Sequence, residues 1–268
     1  MIDVSNFEEI RLYELELLPM EFDVGGGKIT KEEIDTIKNY PAAKSLKVSG
    51  LNQETFEYLI KNYGSQFEAI AFHKNKLVSD LSLLGSLPDL KYVYYFFNQR
   101  VTKLWDMNKN VNLIGLAIYD FCKLHSIEEI SSAPNLKYFA IGDAVWAGSK
   151  IESLKPIVNS SITHFAWWGD KVLDNDFLCL AASRVKELDL NVCRFKMDEL
   201  AQLVACIPDL KGSAIQPYRE GSIVKADKTE TTYFYLCKGK RNLIKGKDDQ
   251  KLEKYIREFE TIVEQYRR

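Results

Sequence analysis

The stretch from Phe67 to Leu77, FEAIAFHKNKL, sets apolar side chains at its positions 1, 4, 6 and 11 and an asparagine at position 9. In an extended chain, successive side chains point to opposite faces, so positions 4 and 6 share one face while 3, 5 and 7 share the other. The same spacing recurs on both sides of this stretch. Position 1 falls on Ala43, Phe67, Leu90, Leu113, Leu136, Ile162, Val185 and Leu210, a well-kept period of about two dozen residues. Positions 4 and 6 read Leu46/Val48, Ile70/Phe72, Val93/Tyr95, Leu116/Ile118, Phe139/Ile141, Phe165/Trp167, Leu188/Leu190 and Ser213/Ile215, with Ser213 as the break in the set. Eight units in register predict a repeat architecture, in which each unit buries its apolar face only by stacking on its neighbours.

The pattern resembles the signature of the leucine-rich repeat family, L-x-x-L-x-L-x-x-N/C-x-L, over about two thirds of the chain. Asn75, Asn98 and Cys193 occupy position 9, whereas Leu51, Phe121, Ala144, Asp170 and Tyr218 stand there in the other units, so the chain is similar to a divergent member, bacterial-type or ribonuclease-inhibitor-like. The resemblance implies an α/β fold: a curved right-handed solenoid of strand plus helix or turn units, with a parallel sheet on its concave side. It also implies a module without catalysis that binds a protein or peptide on that face.

Each unit opens on a strand-like segment, such as KYVYYFF (91–97) or KELDLNV (186–192). Several returns show helical spacing, as in Phe56/Leu59/Ile60, Leu81/Leu84/Leu87, Phe177/Leu180/Ala181 and Leu200/Leu203/Val204. The ends of such a stack need covers. Residues 1–42 are expected to form an N-terminal cap, with Thr30 and Glu33 as a capping box that opens a helix closed by Pro41. Residues 43–217 form the solenoid of about eight repeats. Residues 218–268 are expected to form a hairpin and a capping helix, whose apolar stripe is Leu252, Tyr255, Ile256, Phe259, Ile262, Val263 and Tyr266.

A formal charge of −2 argues against wholesale binding of nucleic acid or an acidic membrane, since phosphate neutralisation needs an excess of Lys and Arg. The amino terminus lacks a basic segment followed by an apolar run, and no stretch of about 18 apolar residues occurs. A soluble, cytoplasmic protein is expected. Cys122, Cys179, Cys193, Cys206 and Cys237 are odd in number and scattered, which favours free, buried thiols.

No cofactor is implied. GGGK (25–28) lacks the earlier glycine and the following Ser or Thr of a phosphate loop. Cys122 and His125 have no third group to orient them as nucleophile and base. His73, His125 and His164 lie in different units, without zinc-ligand spacing. Asp120, Asp143 and Asp170 recur near one edge of neighbouring strands, where solvated positions are a plainer reading than a cation site. Lys238, Lys240, Arg241, Lys245 and Lys247 lie together without an acid and read as a solvated loop leading to the last helix.

The inner face stands out. Position 5 holds Ala71, Ala117, Ala140, Ala166 and Ala214, and around this shallow column stand Tyr92, Tyr94, Phe96, Tyr119, Tyr138, His164 and Trp168. Glu187, Asp189 and Asn191 follow as an acidic flank. Aromatics suit a pleated surface in any case, but an exposed cluster marks an interaction site. Tyr92, Tyr94, Phe96, Tyr119, Tyr138, His164, Trp168 and Asp189 are therefore the expected partner-binding residues. The expected partner is a protein or peptide, of basic character by charge complementarity, with carbohydrate stacked on the same aromatics as the alternative.

Overall fold

The computed structural model describes residues 13–19, 27–146, 148–224 and 228–268. The strands β1 (Leu15–Leu17), β2 (Ser45–Val48), β3 (Ala69–His73), β4 (Tyr92–Asn98), β5 (Gly115–Phe121) and β6 (Tyr138–Gly142) lie side by side in that order. A short outer pair, β7 (Lys150–Ile151) with β9 (Lys171–Val172), interrupts the succession, and β8 (His164–Trp167) and β10 (Glu187–Leu190) complete an eight-stranded sheet. All its neighbours are parallel, and like pairs with like: Leu46 opposes Ile70, then Val93, Leu116, Phe139, Phe165 and Leu188 follow across the sheet. Through the seventh unit, no residue at position 4 or 6 is more than 4% exposed. The chain thus adopts a leucine-rich repeat solenoid, with its main core between the sheet and the returns.

The returns take different forms. The slightly longer units that open at Ala43 and Val185 carry the long helices α2 (Gln53–Tyr63) and α4 (Met197–Cys206), which come after the short α1 (Lys31–Ile34) and α3 (Lys155–Val158) respectively. The shorter units that open at Phe67, Leu113 and Ile162 close with single 3-10 turns, at Ser82–Ser86, Glu128–Ser132 and Leu178–Ala182.

The exit from each strand also repeats. Position 8 is left-handed in the first four units, at Gly50, Lys74, Phe97 and Asp120, with φ of 75°, 56°, 66° and 56°. Non-glycine residues rarely adopt this region, and an aromatic does so least readily. Just beyond it, the buried Asn75 accepts the Leu51 N–H and donates to the Val48 carbonyl, both at 2.8 Å. Asn98 repeats the device, donating to the carbonyls of Asn75 and Val78 and accepting the N–H groups of Arg100 and Val101.

The two ends differ from the sequence expectation. The eighth unit has no strand: Ser213–Ile215 is a 3-10 turn, the ladder persists only as a bridge between Glu187 and Lys211, and Ile215 is exposed. Ser213 Oγ accepts the Leu190 N–H at 3.0 Å, so a side chain serves the outer edge of β10 where a further strand would have done so. The eighth strand comes instead from β1, whose Leu15 and Leu17 oppose Leu46 and Val48. The Thr30–Glu33 capping box is present and opens α1, which continues as a 3-10 turn over Asp35–Asn39.

At the far end, β11 (Tyr218–Val224), β12 (Glu230–Leu236) and β13 (Leu243–Ile244) form an antiparallel sheet, and α5 (Asp249–Arg267) packs against α4. Leu252, Tyr255, Phe259 and Val263 of α5 are buried, whereas Tyr266 is exposed and donates to Asp198 at 2.9 Å. All five thiols are free, but only Cys237 is buried; Cys122 and Cys206 are exposed, because they fall on the solvent side of a turn and at the end of α4. No helix among the described residues is long and apolar enough to cross a membrane.

Candidate functional site

The parallel register places the expected concave residues in rows. Tyr92, Gly115, Tyr138, His164 and Glu187 form one row; Tyr94, Ala117, Ala140, Ala166 and Asp189 form the next; His73, Phe96, Tyr119 and Gly142 form the third. Trp168 follows β8 and donates its N–H to the Ile141 carbonyl at 3.0 Å, beside Gly142. A Cβ on Gly142 would stand 2.3 Å from the Gly169 nitrogen, so glycine is required for this close approach.

The rows are more closed than alternation alone predicts. Tyr92, Phe96 and Tyr119 are only 5, 9 and 6% exposed, and the alanine column is buried beneath a second apolar cluster. The aromatics are large enough to pack on one another over the small column. Tyr94 lies 5.9 Å from Tyr119, and His73 meets Phe96 edge-on at 5.2 Å. Tyr13 joins this side, where burial and the neighbouring Tyr94 and Glu16 push its phenol above the usual range. Tyr94, Tyr138, His164, Trp168 and Asp189 remain half-buried.

The acidic flank is engaged within the chain. Glu187 meets His164 Nε2 at 3.2 Å, and Asp189 accepts the Ser213 N–H at 2.8 Å. Both carboxylates therefore hold the last strand in place, and the basic partner that the flank suggested loses its main argument. His73 is the reverse case: its Nε2 finds no partner among the described residues, and burial, with Lys47 and Lys74 nearby, lowers its pKa to about 4.

An exposed tryptophan lies on the strand-exit rim. Trp146 is 43% exposed, yet its ring lies 4.4 Å from Phe97 and stacks on Phe96 at 6.1 Å, which closes Phe96 from above. Two carboxylates hold its loop. Asp120 accepts the N–H groups of Ala144, Val145 and Trp146 at 3.0, 3.0 and 3.3 Å. Asp143 accepts those of Gly148 and Ser149 at 3.0 and 2.9 Å. Between the loop and the sheet edge lies a cleft of about 520 Å³, lined by Phe97, Gln99, Phe121, Cys122, Trp146 and Ser149 among others.

These contacts occupy several of the side chains singled out in the sequence. Asp120 and Asp143 cap backbone and Asp170 pairs with Arg194, and no cluster of metal-ligating residues occurs among the described residues. His125 Nδ1 meets the Lys150 carbonyl at 2.9 Å, so the ring is committed to the next unit rather than to Cys122. In the basic stretch, Lys245 pairs with Glu220 at 2.7 Å while Lys238, Lys240, Arg241 and Lys247 are exposed. Gly25 and Gly26 of GGGK lie outside the described residues.

No protein-family model and no curated protein matches the chain. Among solved structures it is similar to an internalin (inlF) from Listeria monocytogenes, with a TM-score of 0.48 and 16% sequence identity over 71% of this chain and 50% of that one. The chain thus spans half the length of that protein.

Trp146 and Phe97 are absent from the residues expected to bind, because repeat register describes strands and not the loops that leave them. One signal did exist. The unit that opens at Leu136 and ends before Ile162 is longer than any other that precedes Leu210, and Asp143 to Trp146 follow the end of its strand at Gly142.

Proposed function

We propose that the chain is a non-enzymatic recognition module that binds a protein or peptide along the aromatic line from Tyr138, His164 and Trp168 on the concave face to Trp146 on its rim. The observation that carries this reading is Trp146 itself. A large indole kept in water on a loop fixed by five N–H···carboxylate bonds has lost conformational freedom before any partner arrives, which is the property of an effective anchor. Five free thiols accord with a reducing, cytoplasmic setting.

A sugar reading would call on Asp120, Asp143 and Asp170 as hydroxyl acceptors, but Asp120 and Asp143 already accept backbone N–H groups and Asp170 pairs with Arg194. The protein reading is therefore preferred. Affinity capture from the native host should be run with the wild-type chain beside Trp146→Ala/Trp168→Ala. A partner held by the first and lost from a folded second supports the proposal. Equal capture by both places the site elsewhere, and saturable binding on a glycan array would favour the sugar reading.

A further inference from the structure

We propose that the rim cleft beside Trp146 receives a bulky apolar side chain carried by an acidic peptide segment. This rests on the recognition reading above and adds the chemistry of the partner.

The apolar half of the argument is the cleft. Phe97, Phe121 and Trp146 give it aromatic walls, and its volume of about 520 Å³ exceeds that of any single side chain, so an anchor residue can enter with part of its backbone. Gln99 and Ser149 supply polar groups at the edge.

The acidic half comes from what surrounds the cleft. Lys150 and Lys171 are directly opposed in the β7–β9 pair, both exposed, and like charges in opposed positions are unfavourable unless something answers them. Neither has a carboxylate within 4 Å among the described residues, and both adjoin Ser149, whose carbonyl accepts the Lys171 N–H. Arg100 and Lys123 are exposed beside the lining residues Gln99 and Cys122, with no ion pair among the described residues. Of the acids at this end, Asp170 is neutralised by Arg194, while Asp120, which lines the cleft, and Asp143 are turned toward backbone N–H groups. Glu152 lies about 7 Å along the strand from Lys150, and Asp174 about 10 Å from Lys171. These exposed cations therefore border the cleft without lining it, Lys171 lining a separate pocket with Arg194, and a segment with carboxylates flanking its anchor residue would answer them.

A random short-peptide phage library panned on the immobilised full chain tests this. Enriched sequences should carry an aromatic or large aliphatic residue flanked by Asp or Glu. A fluorescein-labelled consensus peptide should bind about tenfold more weakly to Trp146→Ala and to Lys150→Glu/Lys171→Glu, each checked for native circular dichroism. Its affinity should also fall as salt rises. Basic or charge-neutral consensus sequences, or unchanged binding to the double Lys variant, would overturn the acidic partner while leaving Trp146 as an anchor if Trp146→Ala still fails. Full affinity for Trp146→Ala overturns both readings, and so does the absence of any enrichment.

Discussion

The Asp120 carboxylate accepts the backbone N–H of Trp146 at 3.3 Å, across the gap from one repeat to the next. Asp120 is only 4% exposed, and its other two bonds go to the N–H groups of Ala144 and Val145. An ionised carboxylate taken out of water is costly unless donors surround it, and here three successive amides converge on it. Asp is also among the few residues that tolerate the left-handed φ of 56° found at this position. The residue that turns the β5 exit thus also shapes the loop of the next unit, and the indole is held over Phe97 as a result.

Asp120→Ala should lower stability by about 2–3 kcal/mol, since it leaves the amides of the loop unpaired and puts an alanine in a left-handed conformation. Asp120→Asn keeps an acceptor oxygen and tolerates that backbone, so it should lose clearly less. Urea unfolding followed by tryptophan emission measures both. Equal losses for Ala and Asn would mean that the charge, and not the acceptor geometry, holds the loop.

The concave aromatics should behave as core where they are closed and as surface where they are open. Leu116→Ala, beneath the sheet and fully buried, should cost about 2–5 kcal/mol, and Tyr119→Ala on the opposite face should cost about 3 kcal/mol. His164→Ala, half-buried at the end of its row, should stay within about 1 kcal/mol. Thermal melts of the three variants would expose an error of register: a neutral Leu116→Ala removes the main core, and a neutral Tyr119→Ala removes the second one.

Strand positions, pairing partners and main-core residues were legible because a parallel sheet of equal units repeats one register. Ile70, Val93 and Leu116 meet because each is fourth in its unit. Two kinds of feature were not legible. Alternation says which face Tyr92 or Phe96 occupies, but not whether neighbours roof that face, and the roof over Phe96 is a tryptophan from a loop two units further on. Nor does register speak for the ends, where Leu15 and Leu17 carry the right spacing on a segment too short to stand out, and Ser213 replaces a strand with a side-chain hydrogen bond.

Removing the chain from Lys251 onward should uncover the apolar end of the stack. Leu252, Tyr255, Phe259 and Val263 would be lost from their packing on α4, and Cys237 would lose the Tyr255 hydroxyl that accepts its N–H at 3.2 Å. The expected outcome is aggregation or loss of cooperative unfolding, as for a solenoid stripped of its cap. A monomeric truncated chain with an unchanged melting temperature would show that α5 contributes nothing to the stack.

His73 should make stability depend on pH below neutrality. Its folded pKa of about 4 lies below its ordinary 6.5, so folding favours the neutral imidazole. The unfolded chain then binds more protons between these two values, and stability must fall as the pH drops from about 6.5 towards about 4. The groups beside it, Lys47, Lys74 and the ring of Phe96, offer no negative charge to stabilise the protonated form. Carboxylates titrate in the lower part of the same window, so the contribution of His73 is read by difference. Urea midpoints at pH 7.5 and 5 should move less in His73→Gln than in the wild type, and the His73 ring resonances should titrate near pH 4. An ordinary titration near 6.5, or an equal shift of midpoint in both proteins, would mean that the imidazole is hydrated and that the closed cluster around Phe96 opens to water.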